Sequence, residues 1–158
     1  MNIAKSIKLL IAVSICLFAG FVGSIFTTPA ISTWYITLNK PVLNPPNWIF
    51  APVWTILFIL MGVSLCLVLQ KDMKKIETKM ALCFFAVQLI LNILWSILFF
   101  GLHSSLAGLI EIGFLWIAIL FTIITFWKVS KVSAILLLPY LFWVSVASIL
   151  NFLIWRLN

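Results

Sequence analysis

The sequence predicts an all-α integral membrane protein in which five transmembrane helices form a single bundle. Hydrophobic residues make up 65% of the 158 residues and charged residues only 8%, whereas a soluble domain carries about 25% charged residues. A helix needs roughly 20 apolar residues to cross the hydrocarbon core of a bilayer, and the chain supplies five runs of this kind. These runs extend over Ile7 to Phe26, Trp48 to Leu69, Met80 to Leu102, Leu106 to Trp127, and Val132 to Trp155.

The spans take up nearly the whole chain, so residues 1–158 are expected to form one transmembrane domain. The first run follows Lys5 and Lys8, an arrangement that is also found in secretory signal peptides. Its apolar core, however, is longer than the roughly 7 to 15 residues of such peptides, and no small-x-small cleavage site follows it. We therefore expect the first run to remain in the protein as a transmembrane helix.

Positive charges are distributed very unevenly between the two ends of the predicted bundle. The end that holds the N-terminus and the second and fourth loops carries eight lysines, whereas the other end carries only Lys40 and Arg156. The positive-inside rule then places the N-terminus in the cytoplasm and the C-terminus outside. The net charge of +7 is explained by this topology, so no nucleic-acid partner is expected. The eight lysines are Lys5, Lys8, Lys71, Lys74, Lys75, Lys79, Lys128 and Lys131.

One connection, the outer loop from Thr27 to Pro46 between the first two spans, is long. Long loops in compact folds are usually either lids or disordered linkers. The aromatic and aliphatic side chains of this loop would gain nothing by remaining in water, so we expect it to fold back over the bundle as a lid. Ser32 or Thr33 is expected to cap a short helical turn that Pro41 ends. The residues assigned to this lid are Trp34, Lys40, Pro41, Pro45 and Pro46.

Two starts of the second span are compatible with the sequence. In one, Asn44 is the N-cap and Pro45 takes the first helical position, where its missing N–H costs nothing. Pro52 would then lie about two turns inside the helix and bend it, because it cannot donate to the carbonyl of Trp48. In the other, the helix begins near Trp48, Pro52 lies in the first turn, and no kink results. The sequence leaves both starts open.

The polar residues within the spans are concentrated towards the outer ends of the helices. Gln88, Asn92 and Trp95 recur at i, i+4 and i+7, which places them on one face of the third span. Since polar groups that face lipid are costly, such residues usually face the bundle interior or a cavity. We expect a polar and aromatic outer half with a pocket that opens towards the outer leaflet under the lid, and an almost purely aliphatic inner half. The other residues of this set are Trp54, Glu111, Trp143 and Asn151.

Each of these residues also has an interpretation that involves no ligand. Gln88 and Asn92 are equally consistent with hydrogen bonds that hold neighbouring helices together. Glu111 is either a functional acid, a hydrogen-bond partner of Asn92 or Asn151, or a carboxylate that reaches the membrane surface. The tryptophans at the span ends, which fit the aromatic belt of membrane proteins, are Trp34, Trp48, Trp127 and Trp155.

The sequence argues against a conventional enzyme. No nucleophile and base stand at triad-like spacing, no Gly-rich phosphate loop is present, and no pair of carboxylates occurs. The three cysteines each fall within a span without CxxC or Cys/His spacing, and His103 has no companion ligand, so no metal site is expected. A pocket walled by indoles would instead suit a large, flat, apolar ligand, because the rings stack on its faces while amides meet its polar edge.

The segment WYITLNKPVLNPPNWIFAPVWTILFILMGVSL, Trp34 to Leu65, carries a specific combination of motifs. They are W-x3-L-x-K-P, P-P, F-x-P-V-W and M-G. Together with QLILNILWSILFFGL (Gln88 to Leu102) and LLPYLFWVSVASILNFLIWRLN (Leu137 to Asn158), this combination resembles the TspO/MBR family of tryptophan-rich sensory proteins and translocator proteins. The resemblance covers nearly the whole chain, and the family's five transmembrane helices agree with the hydropathy.

The resemblance implies a bacterial membrane receptor or sensor that binds porphyrins or related tetrapyrroles and regulates tetrapyrrole or stress responses. It also implies a homodimer in the cell membrane, surrounded by lipid, with a protoporphyrin IX-like ligand and no obligatory cofactor. Two alternative functions come with it: light- and oxygen-dependent breakdown of porphyrin, and transport of porphyrin or lipid. Sterol recognition by the animal motif is not expected, because Phe152 replaces the tyrosine between Leu150 and Arg156.

Residue by residue, the resemblance assigns Trp54 and Trp143 to the paired pocket tryptophans, which would be catalytic if porphyrin breakdown takes place. A macrocycle stacked on both indoles would direct its propionates towards the loop that carries Lys40. The remaining positions expected to contact ligand are Phe50, Ala51, Gln88, Asn92, Trp95 and Ala147.

The first span also presents small residues on one face, at Ala19-x3-Gly23 and Gly20-x3-Ser24. Such faces let helix backbones approach closely, either between two copies of a chain or within one chain. The sequence does not decide between these two uses.

Overall fold

A computed structural model of the protein describes residues 3–158. All regular elements in this range are helical, and five stretches are long and apolar enough to cross a membrane. The chain is therefore an all-helical membrane protein with five spans, which confirms the prediction from hydropathy. The helices are α1 (Ile3–Ser32), α2 (Asn47–Leu69), α3 (Ile76–Ser96), α4 (Ser105–Val129), α5 (Lys131–Leu136) and α6 (Leu138–Leu157).

Two short elements complete the chain. A π-helical turn, Ile97–Gly101, continues α3, and a 3₁₀ turn, Tyr35–Thr37, lies in the connection between α1 and α2. We call that connection, residues 33–46, the lid, and the end of the bundle where it lies the lid end. The opposite end, which holds residues 70–75 and Ser130, is the lysine end.

The fifth span is interrupted, whereas the sequence predicted one continuous helix from Val132 to Trp155. α5 ends at Leu136, and α6 begins at Leu138 with a proline in its first turn. Pro139 has no N–H to donate to the carbonyl four residues earlier, so one helical hydrogen bond is missing where the helix is interrupted. The break lies nearer the lysine end than the lid end.

The first helix is longer than expected, and the lid is correspondingly shorter. α1 continues to Ser32 rather than ending at Phe26, and it passes through Pro29. The hydroxyls of Ser32 and Thr33 both donate to the carbonyl of Pro29, at 3.1 and 2.8 Å. The prediction that one of them caps the next turn is therefore wrong. The N-cap of the 3₁₀ turn is Trp34, without a side-chain hydrogen bond.

The second span begins at Asn47, with Pro46 as its N-cap. The alternative in which Asn44 caps the helix and Pro45 opens it is therefore wrong. Pro52 lies beyond the first turn, where it leaves the carbonyl of Trp48 without its helical donor, yet α2 continues through it as one helix.

Small residues on α1 pack within the chain. A Cβ atom on Gly62 of α2 would lie 2.5 Å from the Cα of Val13 on α1. Closer to the lid end, a Cβ on Gly20 would lie 2.6 Å from the ring of Phe58, and one on Gly23 would lie 3.0 Å from Ser96 Oγ. The small-residue face of α1 therefore serves contacts with α2 and α3. The homodimer stays a prediction that this face does not support.

The other helices pack around this pair. α3 lies along α4, α4 contacts α5 and α6, and α5 contacts α2. The half of the core nearer the lysine end is not purely aliphatic, contrary to expectation. Phe85 and Phe126 stack there with ring centroids 5.7 Å apart, and buried Ser64 donates to the carbonyl of Ser133 at 2.7 Å.

Replacement of Gly62 by alanine is expected to lower the thermal stability of the protein. The new methyl group would lie 2.5 Å from backbone atoms of Val13, which cannot rotate away as a side chain can. Overpacking of this kind costs about 1–3 kcal/mol. Thermal unfolding in detergent micelles, followed by circular dichroism, measures the effect.

Gly113→Ala is the matched control for Gly62→Ala. No atom lies within 4 Å of a Cβ built on Gly113, and alanine favours a helix over glycine by about 1 kcal/mol. This variant should unfold at or above the wild-type temperature. Equal behaviour of the two variants would contradict the close contact between α1 and α2.

Candidate functional site

A cavity of about 350 Å³ lies between α1, α2 and α3 in the half of the bundle nearer the lid. α1 contributes a face from Leu17 to Ile31, and α2 contributes a face from Asn47 to Phe58. The third wall comes from α3 and its π-helical continuation, and the lid adds Tyr35. This volume is within the range of about 300–1,000 Å³ that is typical of small-molecule pockets.

Five of the residues predicted from the sequence to contact ligand lie in the cavity wall. On α2 three of them occupy positions i, i+1 and i+4, which lie on one side of a helix. On α3 the other two occupy positions i and i+3 and also share one side of the helix. The five residues are Phe50, Ala51, Trp54, Asn92 and Trp95.

Three predicted residues lie outside the cavity wall. Gln88 is buried one turn further towards the lysine end. Trp143 stands behind the wall, where its ring meets the ring of Phe50 edge-on at a centroid distance of 6.0 Å. Ala147, one turn further along α6, packs against the main hydrophobic core. The structure thus does not bring Trp54 and Trp143 together as two faces of one cavity.

The polar residues of the wall are held by α6. Asn92 Nδ2 donates to the Tyr140 hydroxyl at 2.9 Å, and Trp95 Nε1 donates to Asn151 Oδ1 at 3.2 Å. Asn151 in turn donates to the carbonyl of Ser105 at 2.7 Å. Asn92 and Trp95 therefore link helices and line the cavity at once, so the two interpretations left open by the sequence both apply.

Glu111 has none of the partners suggested from the sequence. Asn92 is bonded to Tyr140, and Asn151 is bonded to Trp95 and Ser105. Both carboxyl oxygens of Glu111 are buried and have no hydrogen-bond partner within residues 3–158. Since the residue is only 5% exposed, it does not reach the membrane surface either.

Tyr35 is the residue by which the lid closes the cavity. Its ring is buried, and its hydroxyl donates to Asn44 Oδ1 at 2.7 Å. Burial raises the pKa of the Tyr35 phenol above its ordinary value of 10.0. As the pH rises, the Tyr35 phenol therefore ionises at a lower pH in the unfolded chain than in the folded lid. The stability that the neutral, buried phenol gives the lid is complete below about pH 10 and is lost as the pH rises further.

Lys40 supports the lid from within. Its ammonium donates to the carbonyls of Tyr35 and Leu38, at 2.7 and 3.0 Å, and lies 5.0 Å from the centre of the Tyr35 ring. These hydrogen bonds satisfy backbone carbonyl groups of the 3₁₀ turn and of the residue after it, and the ammonium adds a cation–π interaction with the Tyr35 ring. The ammonium is therefore occupied by the lid itself, contrary to the expectation that it faces ligand propionates.

Several contacts fasten the lid to the rest of the protein, among them the packing of the Tyr35 ring against Phe99 and Phe100. Trp34 stacks on His103 at a centroid distance of 4.9 Å, so it is part of the lid contact and not only a belt residue. His103 has a φ of 53°, which turns the loop between α3 and α4 towards the lid. On the other side, the Asn158 side chain accepts from the N–H of Asn39 at 2.9 Å and donates to its carbonyl at 3.0 Å.

The three prolines assigned to the lid shape its second half. The carbonyl of Pro41 accepts from the N–H of Asn44 at 2.9 Å, which closes a turn. Pro45 follows this turn, and its carbonyl accepts from the Asn44 side chain at 3.1 Å. Pro46 then ends the lid as the N-cap of α2. These residues position the lid and do not line the cavity.

Several wall residues were not predicted as ligand contacts. Tyr35 lies in the segment that was predicted to fold over the bundle as a lid, but it was not assigned to the cavity wall. Phe58 and Phe100 are ordinary apolar residues of a span. The small residues on one face of α1 were the only sequence feature that pointed to these positions, because small residues leave room for a neighbouring side chain or for a cavity. In the structure Gly20 makes room for the ring of Phe58, and Ser24, Thr27 and Thr28 line the cavity.

Replacement of Lys40 by methionine is expected to loosen the lid. The variant loses the hydrogen bonds to two lid carbonyls, and amide hydrogen exchange at Thr37 and Leu38 should accelerate about fivefold, as for a loss near 1 kcal/mol. Lys74→Met, in the loop at the lysine end, is the control, since its side chain makes no hydrogen bond within the described chain. Unchanged exchange in Lys40→Met would contradict the supporting role of this ammonium.

Comparison with known proteins agrees with the fold. The model of the TspO/MBR family matches residues 12–156. The tryptophan-rich protein TspO of Chlorobaculum tepidum is 51% identical over 152 residues, 96% of each chain, and that of Archaeoglobus fulgidus is 46% identical over 158 residues, 100% of this chain and 99% of the relative. The human translocator protein is 35% identical over 140 residues, 87% of this chain and 82% of its own. The chain belongs to the TspO/MBR family.

Proposed function

We propose that this protein is a membrane receptor or sensor that binds a porphyrin or a related tetrapyrrole in the cavity beneath the lid. The observation that carries the proposal is the composition of the cavity wall. It combines aromatic rings from α2 and α3 with the amide of Asn92. Rings of this kind stack on a flat apolar macrocycle, while a single amide meets a polar edge of the ligand.

Trp54 is the main contact in this proposal. Its indole lies in the wall, next to the ring of Phe58 at 5.7 Å and edge-on to the ring of Tyr140 at 6.2 Å. Because Tyr140 also holds Asn92, the aromatic and polar parts of the wall are fixed relative to each other. A binding site whose side chains are fixed before the ligand arrives loses less entropy on binding.

The name of one relative supports a receptor or sensor role. The tryptophan-rich sensory protein of Cereibacter sphaeroides is 35% identical over 144 residues, 89% of this chain. We infer that this chain senses its tetrapyrrole as part of a regulatory response and is not itself a conventional enzyme.

We also propose that the lysine end faces the cytoplasm of a bacterial cell. Lysines of the N-terminal segment, of the loop between α2 and α3 and of the loop before α5 share this end. Lys8 donates to the carbonyl of Leu69 at 3.3 Å, and Lys131 lies 5.9 Å from the ring of Trp127. This distribution follows the positive-inside rule, and it puts the lid on the outer side.

Replacement of Trp54 by alanine is expected to weaken the binding of protoporphyrin IX about tenfold or more, which corresponds to about 1.4 kcal/mol. Binding is followed through the Soret absorbance of the porphyrin, since this readout does not depend on the number of tryptophans. Trp143→Ala should have a smaller effect, because Trp143 acts on the wall only through Phe50.

Trp127→Ala is the control for this experiment, because Trp127 is exposed at the lysine end and far from the cavity in the chain's fold. It should bind with wild-type affinity. If Trp54→Ala also binds with wild-type affinity, the ligand does not occupy this cavity.

A further inference from the structure

The cavity has a side opening between α1 and α2. These helices touch closely in the half nearer the lysine end, at Gly62 and Val13, and again where Phe58 fits against Gly20. From that level to the lid, both helices contribute cavity wall. The opening is bordered by Ser24 and Thr28 of α1 and by Ala51 and Thr55 of α2. We call these four residues and the gap between them the α1–α2 slot.

The slot faces the membrane. All four bordering residues are exposed, as is Phe21, which is 62% exposed next to them. They lie within two helices that are long and apolar enough to cross a bilayer. No other part of the chain between residues 3 and 158 covers them, so their exposed sides meet lipid.

The lid end of the cavity is closed by comparison. Tyr35 is 4% exposed and is bonded to Asn44. The lid is fastened by the stacking of Trp34 on His103 and by two hydrogen bonds between Asn39 and Asn158. A ligand that entered from water under the lid would have to break several of these contacts.

The slot has polar groups that a lipid-facing surface does not need. The hydroxyl of Ser24 donates to the carbonyl of Phe21 at 2.7 Å, and that of Thr55 donates to the carbonyl of Ala51 at 2.8 Å. Each donor is thereby satisfied inside its own helix, which reduces the cost of facing hydrocarbon. The hydroxyl oxygens still accept hydrogen bonds from a polar ligand that passes them.

Both helices that frame the slot carry a proline beside it. Pro29 in α1 and Pro52 in α2 have no N–H, so the carbonyls of Ile25 and Trp48 lack their helical donors. Each helix is therefore held by one hydrogen bond fewer at the level of the slot. A helix that lacks such a bond bends more easily there.

We propose that the ligand enters and leaves the cavity sideways through the α1–α2 slot, directly from the lipid, while the lid stays closed. The ligand is then an amphipathic molecule that is dissolved in the membrane, and the lid serves as a fixed roof. The identity of the ligand in this inference rests on the proposed function, whereas the position of the opening is independent of it.

The first test uses Ser24→Trp, which places a large ring in the slot. Protoporphyrin IX is bound to protein in lipid nanodiscs, and the association and dissociation rates are measured by stopped flow. Both rates should fall about tenfold, because the bulky ring narrows the path between the cavity and the lipid. Ser14→Trp, an equally exposed serine of α1 away from the cavity, should keep wild-type rates.

The lid provides the opposing arm of this test. Asn158→Ala removes the two hydrogen bonds to Asn39 and should leave the association rate unchanged. The inference is overturned if Asn158→Ala accelerates association, or if Ser24→Trp behaves like Ser14→Trp. Thr55→Trp, which blocks the slot from the α2 side, repeats the test should Ser24→Trp fail to fold.

A second test needs no porphyrin. Ser96 lines the cavity and is 9% exposed, so Ser96→Cys places a thiol inside. Cys83, the one exposed cysteine in the described chain, is replaced by alanine, whereas Cys16 and Cys66 are buried. A neutral, lipid-soluble alkyl methanethiosulfonate should label the new thiol at least about tenfold faster than a charged methanethiosulfonate added in water, since the charged reagent does not enter hydrocarbon.

The two tests separate the two proposals. Equal labelling by the charged reagent would show that the cavity opens to water, which overturns the slot. If wild-type protein does not bind protoporphyrin IX, the proposed function fails, and the thiol labelling still decides the route of access.

Discussion

The close contact between α1 and α2 decides where the protein can hold a ligand. Glycine at position 62 lets the two backbones meet, and Phe58 fills the notch that Gly20 leaves. The ring of Phe58 thereby becomes the floor of the cavity, because it closes the space between the helices on the side of the lysine end. Beyond this level the same two helices form wall instead of core. A change that separates them at Gly62 would therefore alter the cavity without touching any residue that lines it.

α6 determines the chemistry of the cavity although it contributes no residue to the wall. Tyr140 holds Asn92, Asn151 holds Trp95, and Trp143 supports Phe50. In each pair, a side chain of α6 behind the wall fixes the orientation of the side chain that lines the cavity. Such outer contacts keep binding side chains close to one geometry. The side chains that shape the cavity are consequently spread over two layers, of which only the inner one lines it.

Much of this arrangement is predictable from the sequence, and the reasons for the exceptions are physical. Five spans follow from hydropathy, and the spacing of Asn92 and Trp95 places both on one face of α3. Trp143 lies behind the wall because the rotation of a helix about its own axis depends on packing, which periodicity alone does not reveal. α1 extends past Phe26 although Thr27 and Thr28 suggest a loop, and the Thr27 hydroxyl is satisfied within the helix because it donates to the carbonyl of Gly23. Tyr35 was missed because its ring is buried against Phe99 and Phe100, which lie far away along the chain.

The contacts of the lid fall into two groups with different consequences for motion. Lys40 and the bond between Tyr35 and Asn44 connect parts of the lid to one another. Trp34, Asn39 and the ring of Tyr35, which packs against Phe99 and Phe100, connect the lid to its surroundings. Loss of the second group would leave the first intact. The lid would then move as one rigid unit about its two chain connections, which are the end of α1 and the start of α2. Its internal hydrogen bonds would be retained. Its internal shape is thus independent of whether it is docked.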